Sequence, residues 1–526
     1  MHYDAIVIGS GVGGLTAAAV WARHGKRVLV LERHRSFGGA AKVYAHGRLR
    51  IEASLHELDG LDPGDAKTTL LEELGIRDRL HLLDIGGLYE VRSAVLEQPF
   101  VLPHGMDRAR QVALLRFAGS AAGVHRFFDT LEAVQGAFRS IDRPHGAGWW
   151  MRHGLEAAAH FVPVARNAGR SLASFLDECF GDDEAAKLAL AANTCYYDND
   201  PERLWFLYFA MAQASYLTGG GHYLRGGSQS LTDALLGVIR GAGGDALAER
   251  TATAILVDDA GAVTGVQHRG TDGSVRSDHA PVVFGNAAPH VMADLLPAEP
   301  RAKLQASYRD RPLSTSLFVV SLGMSRRPSD FGVRAYSTFL YPPWMASLRS
   351  LRDCVPMLGA APSGRVPMTV LVDYSPVDSG LNAEPPYLCS LTGVDRLDNW
   401  ASLSPDAYRL RREQWMDALV AAVDREFPGF AGAVVQREMA TALTMHRELN
   451  TPAGAVYGFA PVVPPHGLPS MPALRTAVPG LWLASAFVFG GGYSGAMMSG
   501  AVAAKAALAS DEASRHGSAP GVVLPP

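Results

Sequence analysis

The stretch Asp4-Ala5-Ile6-Val7-Ile8-Gly9-Ser10-Gly11-Val12-Gly13-Gly14-Leu15-Thr16-Ala17 narrows the possible folds more than any other part of the chain. The apolar run Ala5 to Ile8 reads as a buried parallel strand. It breaks at a Gly-x-Gly-x-x-Gly loop that leads into an alanine-rich helix. A second apolar run, Val28 to Leu31, ends in Glu32. Strand, glycine loop, helix, strand and terminal acid in that order specify a βαβ unit that binds a dinucleotide. Gly9 permits the tight turn, Gly11 lets a pyrophosphate approach the backbone, and Gly14 lets the helix pack closely on the strand. The helix N-terminus then faces the phosphates with free N–H groups, and Glu32 is placed to accept hydrogen bonds from ribose hydroxyls.

A chain of 526 residues exceeds one simple core and divides into two or three domains of about 100–200 residues each. A formal net charge of −4 gives no basis for nucleic-acid binding. The four cysteines (Cys179, Cys195, Cys354 and Cys389) form no Cys-x-x-Cys pair and have no histidine at zinc-site spacing. They read as thiols of a reducing compartment, and no metal is expected. The first strand starts almost at residue 1, which leaves no room for a signal peptide. No segment reaches about 18 uncharged apolar residues, so none is expected to cross a membrane. The expected location is cytoplasmic, with a possible contact to one membrane face. The segment Gly148 to Ala168, with Trp149, Trp150, Phe161 and flanking arginines, suits either that contact or an ordinary core helix interrupted by Pro163.

After Glu32 the chain departs from simple strand–helix alternation. A second glycine pair, Gly38-Gly39, is followed by a loop through Ile51-Glu52-Ala53-Ser54-Leu55-His56. Such an elaboration points to a flavin-binding version of the fold. Residues 66 to 240 read mostly as helix. A glycine-rich turn, Gly226-Gly227-Ser228, opens a helix that ends near Gly241 or Gly243, and strands follow at Thr251 to Val257, Val263 to His268 and Pro281 to Phe284. Further strands are expected at Leu317 to Leu322, Met368 to Asp373 and Tyr387 to Thr392, then a helix from Ser404 to Phe427. A final small-residue helix spans Tyr493 to Leu508, and a disordered tail is expected from 511 to 526.

These pieces together resemble the FAD-dependent phytoene desaturase, carotenoid isomerase and retinol saturase family, relatives of the flavin amine oxidases. The resemblance rests on the nucleotide loop with Glu32 and on Gly38-Gly39 followed by Ile51 to His56. It also rests on Tyr223 to Ser228, Asn286-Ala287-Ala288-Pro289, Glu438 to Thr444 with Pro452 to Gly458, and Gly490 to Ala504. Two positions depart from the family pattern. Ala484-Ser485 stands where an acidic residue usually accepts a hydrogen bond from the flavin ribityl chain, and Ala442 stands where proline is expected after Thr441.

The resemblance implies an α/β fold: a discontinuous Rossmann-like FAD-binding domain (1–90, 216–299 and 441–510) with an inserted α+β substrate domain (91–215 and 300–440). It implies FAD contacts from Gly9, Gly11, Gly13, Gly14, Glu32, Arg33, Gly38, Gly39, Ala40, Ala252, Asn286, Ser485, Gly492, Ala496 and Met497. The reaction implied is hydride transfer between the flavin N5 and a carbon of a lipophilic polyene or isoprenoid substrate. The C–C bond would be desaturated, saturated or isomerised. His56 is the expected polar group near the ring, able to protonate or orient, with Tyr457 and Tyr493 lining the flavin or the substrate tunnel. The aromatics Trp205, Phe206, Tyr208, Phe209 and Tyr216 suit a tunnel or an ordinary core. Two other readings use the same fold: an amine or other small-molecule oxidase, and a non-enzymatic lipid-binding protein.

Overall fold

Two sheets of different construction organise the chain. The computed structural model describes residues 2–141, 147–465 and 473–516. The first sheet is parallel and five-stranded, in the order Asp245–Leu247, Val28–Leu31, Ala5–Ile8, Val282–Gly285, Leu481–Leu483. Its strands therefore come from the start, the middle and the end of the sequence. The two N-terminal strands are buried along their whole length, which is why they read as unbroken apolar runs. Alternation still divides them between two cores. Ala5, Val7, Val28 and Val30 face the helices Val12–Arg23, Gln229–Gly241 and Gly492–His516. Ile6, Ile8, Leu29 and Leu31 face a layer that includes Ile255, Val263 and Val266 of a three-stranded antiparallel sheet.

The second sheet is mixed and seven-stranded: Val434–Ala440, Ser316–Met324, Tyr387–Asp395, Thr369–Asp373, Ser337–Leu340, Tyr89–Arg92 and Phe100–Leu102. All its neighbours are antiparallel except Ser337–Leu340 with Tyr89–Arg92. On the strand Ser316–Met324, Phe318, Val320 and Leu322 enter a core with Trp415, Leu419 and Val423 of the helix Pro405–Glu426. Leu317 and Val319 point the other way, into a large cavity. A wall that includes the helices Ala121–Ile141 and Phe206–Gly219 closes that cavity.

The expected strands and the helix at 404–427 form with small boundary shifts. The region 66–240 is mostly helix, as expected, and also supplies the short strands Leu82–Asp84, Tyr89–Arg92, Phe100–Leu102 and Gly221–Leu224. Two readings need correction. The loop after Gly38-Gly39 contains a hairpin, Val43–His46 with Leu49–Glu52. The last helix continues past Ser510 to His516, because Ala-rich sequence with Asp511 paired to Lys26 at 2.8 Å sustains it. Residues 517–526 of the expected tail lie outside the described residues. The segment Gly148 to Ala168 forms the helix Ala147–Asn167 with Pro163 inside. There Val164 packs on the main core and Val162 is exposed.

Candidate functional site

The glycine loop is shaped by close backbone approach. Gly9 sits at φ +94°, which an L side chain rarely adopts, and a Cβ there would come within 2.7 Å of the Asn286 carbonyl oxygen. Gly13 is wedged between the Ala484 and Ala496 carbonyls, so a side chain at 13 would force the last helix away. Asn286 follows the strand Val282–Gly285 and donates from Nδ2 to the Ala484 carbonyl at 2.5 Å. The helix Val12–Arg23 has no side-chain cap at Gly11 and no acid in its first turn. Its leading N–H groups are therefore available to an anion.

Glu32 is buried at the tip of the second strand. Its carboxylate accepts from the Ser10 N–H at 3.0 Å, the Ser10 hydroxyl at 2.5 Å and the His34 N–H at 2.9 Å. Ser10 Oγ in turn accepts from the Gly38 N–H at 3.0 Å, which ties the second glycine pair to the first. Arg33 donates to the Arg447 and Glu448 carbonyls at 2.7 and 2.6 Å, a cation placed on the C-terminal end of the helix Ala442–Leu449. Glu52 clamps the third glycine turn: it accepts from the Ser228 N–H and hydroxyl at 2.8 and 2.6 Å and from the Leu55 N–H at 3.2 Å. Ser485 caps the short helix Ala486–Phe489.

The first two glycine turns, Glu32, Arg33, Asn286 and Ser485 border one continuous cavity of about 1450 Å³, whereas Glu52 and the third glycine turn stand behind its lining. Gly9, Gly11, Gly13, Glu32, Arg33, Gly38, Gly39, Ala40, Ala252, Asn286, Ser485, Gly492 and Ala496 line it, as do His56, Tyr457 and Tyr493. Two expected contacts do not. Gly14 is held against the Gly9 carbonyl oxygen and Asn286 Cβ, where a side chain would come within 2.5 and 2.7 Å. Met497 is buried in the core, and its neighbour Met498 faces the cavity instead. Helical geometry turns adjacent residues about 100° apart, so one position decides which methionine points inward. Of the aromatics, Trp205, Tyr208 and Tyr216 line the cavity, whereas Phe206 and Phe209 are fully buried core residues.

The polar groups at the inner end act as a connected set. Both ring nitrogens of His56 are engaged, Nδ1 with the Tyr196 hydroxyl at 3.3 Å and Nε2 with Thr392 Oγ1 at 3.2 Å. Burial pushes its pKa down to about 4, so the ring is neutral at pH 7. It can orient a partner but holds no extra proton to give. The next residue, Glu57, accepts from the Tyr216 hydroxyl at 2.6 Å. Burial raises its pKa to about 8, a rise that Tyr216 offsets in part and the Asp59 charge reinforces. Burial also works to raise Asp59, but Lys67 and the Ser494 and Ser215 hydroxyls outweigh it and hold that carboxyl below its ordinary range. Lys67 is itself buried and bonds Asp65 at 2.9 Å. The Tyr493 hydroxyl meets Ser54 Oγ at 2.8 Å. Sequence reasoning missed Glu57, Asp59 and Lys67. Two acids two positions apart in an apolar stretch beside His56 were the available signal.

A family model described as an NAD(P)-binding Rossmann-like domain matches residues 7–74, which contain the glycine loop, Glu32 and Gly38-Gly39. The all-trans-retinol 13,14-reductase of Rattus norvegicus is 23% identical over 538 residues, covering 96% of this chain and 85% of its own. Prolycopene isomerase 2, chloroplastic, of an Oncidium hybrid cultivar is 26% identical, covering 96% and 84%. The chain is a homologue of the retinol 13,14-reductases and prolycopene isomerases. Homology to both groups spans nearly the whole sequence, so it includes the mixed sheet and helical wall as well as the parallel sheet. Among solved structures, cyclohexylamine oxidase from Brevibacterium oxydans IH-35A superposes with a TM-score of 0.60 at 18% identity, covering 97% of this chain and 99% of that one. That likeness establishes a shared fold.

Proposed function

We propose that the chain binds FAD along the glycine loop and catalyses hydride transfer between the flavin N5 and a carbon of a lipophilic polyene, saturating, desaturating or isomerising it. The observation that carries this reading is the single cavity running from the Gly9–Gly14 loop and Glu32 to an aromatic chamber at Tyr197, Trp205, Tyr208 and Met211. At about 1450 Å³ it exceeds the ~300–1000 Å³ of an ordinary ligand pocket, and so accommodates a long cofactor and a second molecule end to end. The homologous retinol reductases and prolycopene isomerases are named for polyenes, in keeping with an apolar chamber.

The residues fit FAD by chemistry and shape. The uncapped helix N-terminus suits the pyrophosphate, Glu32 the adenosine ribose, and the glycine-lined cleft leaves no side chain in the way. Ser485 replaces the usual acid at the ribityl chain with a neutral acceptor, a weaker partner than a carboxylate. When bound, FAD supplies the two-electron chemistry, which no side chain can provide. The chain's own residues exclude water, fix the substrate against His56 and Tyr457, and manage protons. In this reading 1–90, 216–299 and 441–510 form the cofactor domain, and 91–215 with 300–440 form the substrate domain. A substrate of this kind is drawn from a lipid phase, so the proposal includes a peripheral membrane contact by a cytoplasmic protein. No helix among the described residues is long and apolar enough to cross a membrane.

The amine oxidase fold raises a second reading, an oxidase of amines. The two carboxyls that follow His56 in the chain and line the cavity speak against it: Glu57 is mostly uncharged at pH 7 and Asp59 is already paired with Lys67. Neither is free to hold a substrate ammonium. Mass spectrometry of lipid extracted from the purified protein, with peroxide assays on amines, separates the two. Co-purified polyene and no amine-dependent peroxide are expected; rapid peroxide release with an amine and no polyene turnover would reverse the assignment.

A further inference from the structure

Reducing or forming a C=C bond moves a proton as well as a hydride, and the inner end of the cavity holds few groups able to carry it. His56 is committed at both nitrogens and neutral. Asp59 is saturated by Lys67, Ser215 and Ser494. Glu57 lines the same cavity, with Oε1 bonded to Tyr216 and its other oxygen, Oε2, buried near Gly221 without a hydrogen-bond partner. We propose that Glu57 is the residue that exchanges this proton with the substrate carbon, with Tyr216 holding its carboxyl in place.

The inference rests on the flavin reading above. In the saturating direction one alkene carbon receives a hydride from a reduced flavin. The π electron pair then forms the second C–H bond with the Glu57 proton, the Glu57 O–H bond breaks, and a carboxylate remains. The substrate is reduced by two electrons and the flavin oxidised by two. Desaturation is the reverse, with the carboxylate taking the proton. The Tyr216 hydroxyl stays bonded to the anion through a charge-assisted hydrogen bond. Burial and the Asp59 charge favour the return of Glu57 to the acid form, against the Tyr216 hydrogen bond that steadies the anion. Asp59 beside it carries the one negative charge. Tyr216, Tyr89, Tyr196, Tyr197 and Tyr336 face it from four other segments as phenols that burial keeps protonated. A carboxyl that is an acid near neutral pH can deliver a proton where an ordinary glutamate would already be ionised.

The test uses the full-length holoprotein. Reduced protein is mixed with all-trans-retinol and oxidised protein with phytoene, and flavin absorbance is followed across pH. Retinol or phytoene binding is followed separately by protein fluorescence. The expected result is that Glu57→Gln keeps flavin and polyene binding but slows flavin turnover by about 100-fold or more. Glu57→Asp recovers part of the rate. An infrared carbonyl band of a protonated carboxyl should fade in the wild type as pH rises through about 8 and be missing in Glu57→Gln. Full rate in Glu57→Gln overturns the proposal while leaving the flavin reading intact, and so does a band that the substitution does not remove. A wild type that turns over neither polyene overturns the flavin reading, and this proposal with it.

Discussion

Glu32 receives three hydrogen bonds that hold the first glycine loop to the second strand. Replacing it with alanine removes the ribose acceptor and also leaves the Ser10 and His34 N–H groups without a partner, at about 1–3 kcal/mol each if they stay buried. Glu32→Ala should therefore purify with little flavin and a lower melting temperature; full flavin occupancy would show that the carboxylate serves the loop alone. His56 and Glu57 should give the protein opposing pH dependences. The His56 pKa falls from 6.5 to about 4 on folding, so its contribution is present above pH 6.5 and is lost as pH falls toward 4. The Glu57 pKa rises from 4.5 to about 8, so its contribution is present below pH 4.5 and is lost as pH rises through 8. Thermal melts should accordingly find Glu57→Gln more stable than wild type at pH 9, with the advantage shrinking toward pH 5. An advantage that is the same at both pH values would contradict the buried-acid assignment.

At the scale of elements, the decisive contacts join segments distant in sequence. Asp395 ends a strand of the mixed sheet and is fully buried; it accepts from Asn399 Nδ2 at 2.8 Å, Trp400 Nε1 at 2.7 Å and the Ala442 N–H at 2.9 Å. It thereby anchors the helix Ala442–Leu449, whose last carbonyls hold Arg33 at the cavity. Asp395→Ala strands three buried donors, and urea unfolding should show a loss of about 3 kcal/mol or more; a loss under 1 kcal/mol would mean the helix is anchored elsewhere. Much of this architecture is legible from sequence where the signal is local. The strand–glycine–helix order gives the parallel sheet, and periodicity gives the helix at 404–427. The strands Ser337–Leu340 and Phe100–Leu102 are too short to show alternation, and only pairing with distant strands creates them. For the site the same division holds. Glycines and Glu32 announce themselves by spacing, whereas the perturbed acidity of Glu57 arises from burial among tyrosines of other segments. Met497 and Met498 differ only by helical phase, which the sequence leaves undetermined by one residue.

The whole molecule depends on its C-terminal portion to complete what its first residues begin. The strand Leu481–Leu483 closes the parallel sheet beside Val282–Gly285, and the helix Gly492–His516 packs on Val12–Arg23, with the Trp21 indole donating to the Ala504 carbonyl at 3.0 Å. A chain ending at residue 480 lacks both, together with the cavity wall at Ser485, Gly492 and Tyr493. It should be recovered unfolded or aggregated, as judged by circular dichroism and size-exclusion chromatography; a folded, flavin-binding truncation would contradict the shared sheet as the organising unit. The central claim is that this cavity holds FAD for polyene chemistry, and one measurement tests it most directly: the absorption spectrum of the purified protein followed by mass analysis of the cofactor released on denaturation. The prediction is a flavin band near ~450 nm and release of FAD at about one per chain. A colourless protein that gains no such band when titrated with FAD would contradict it.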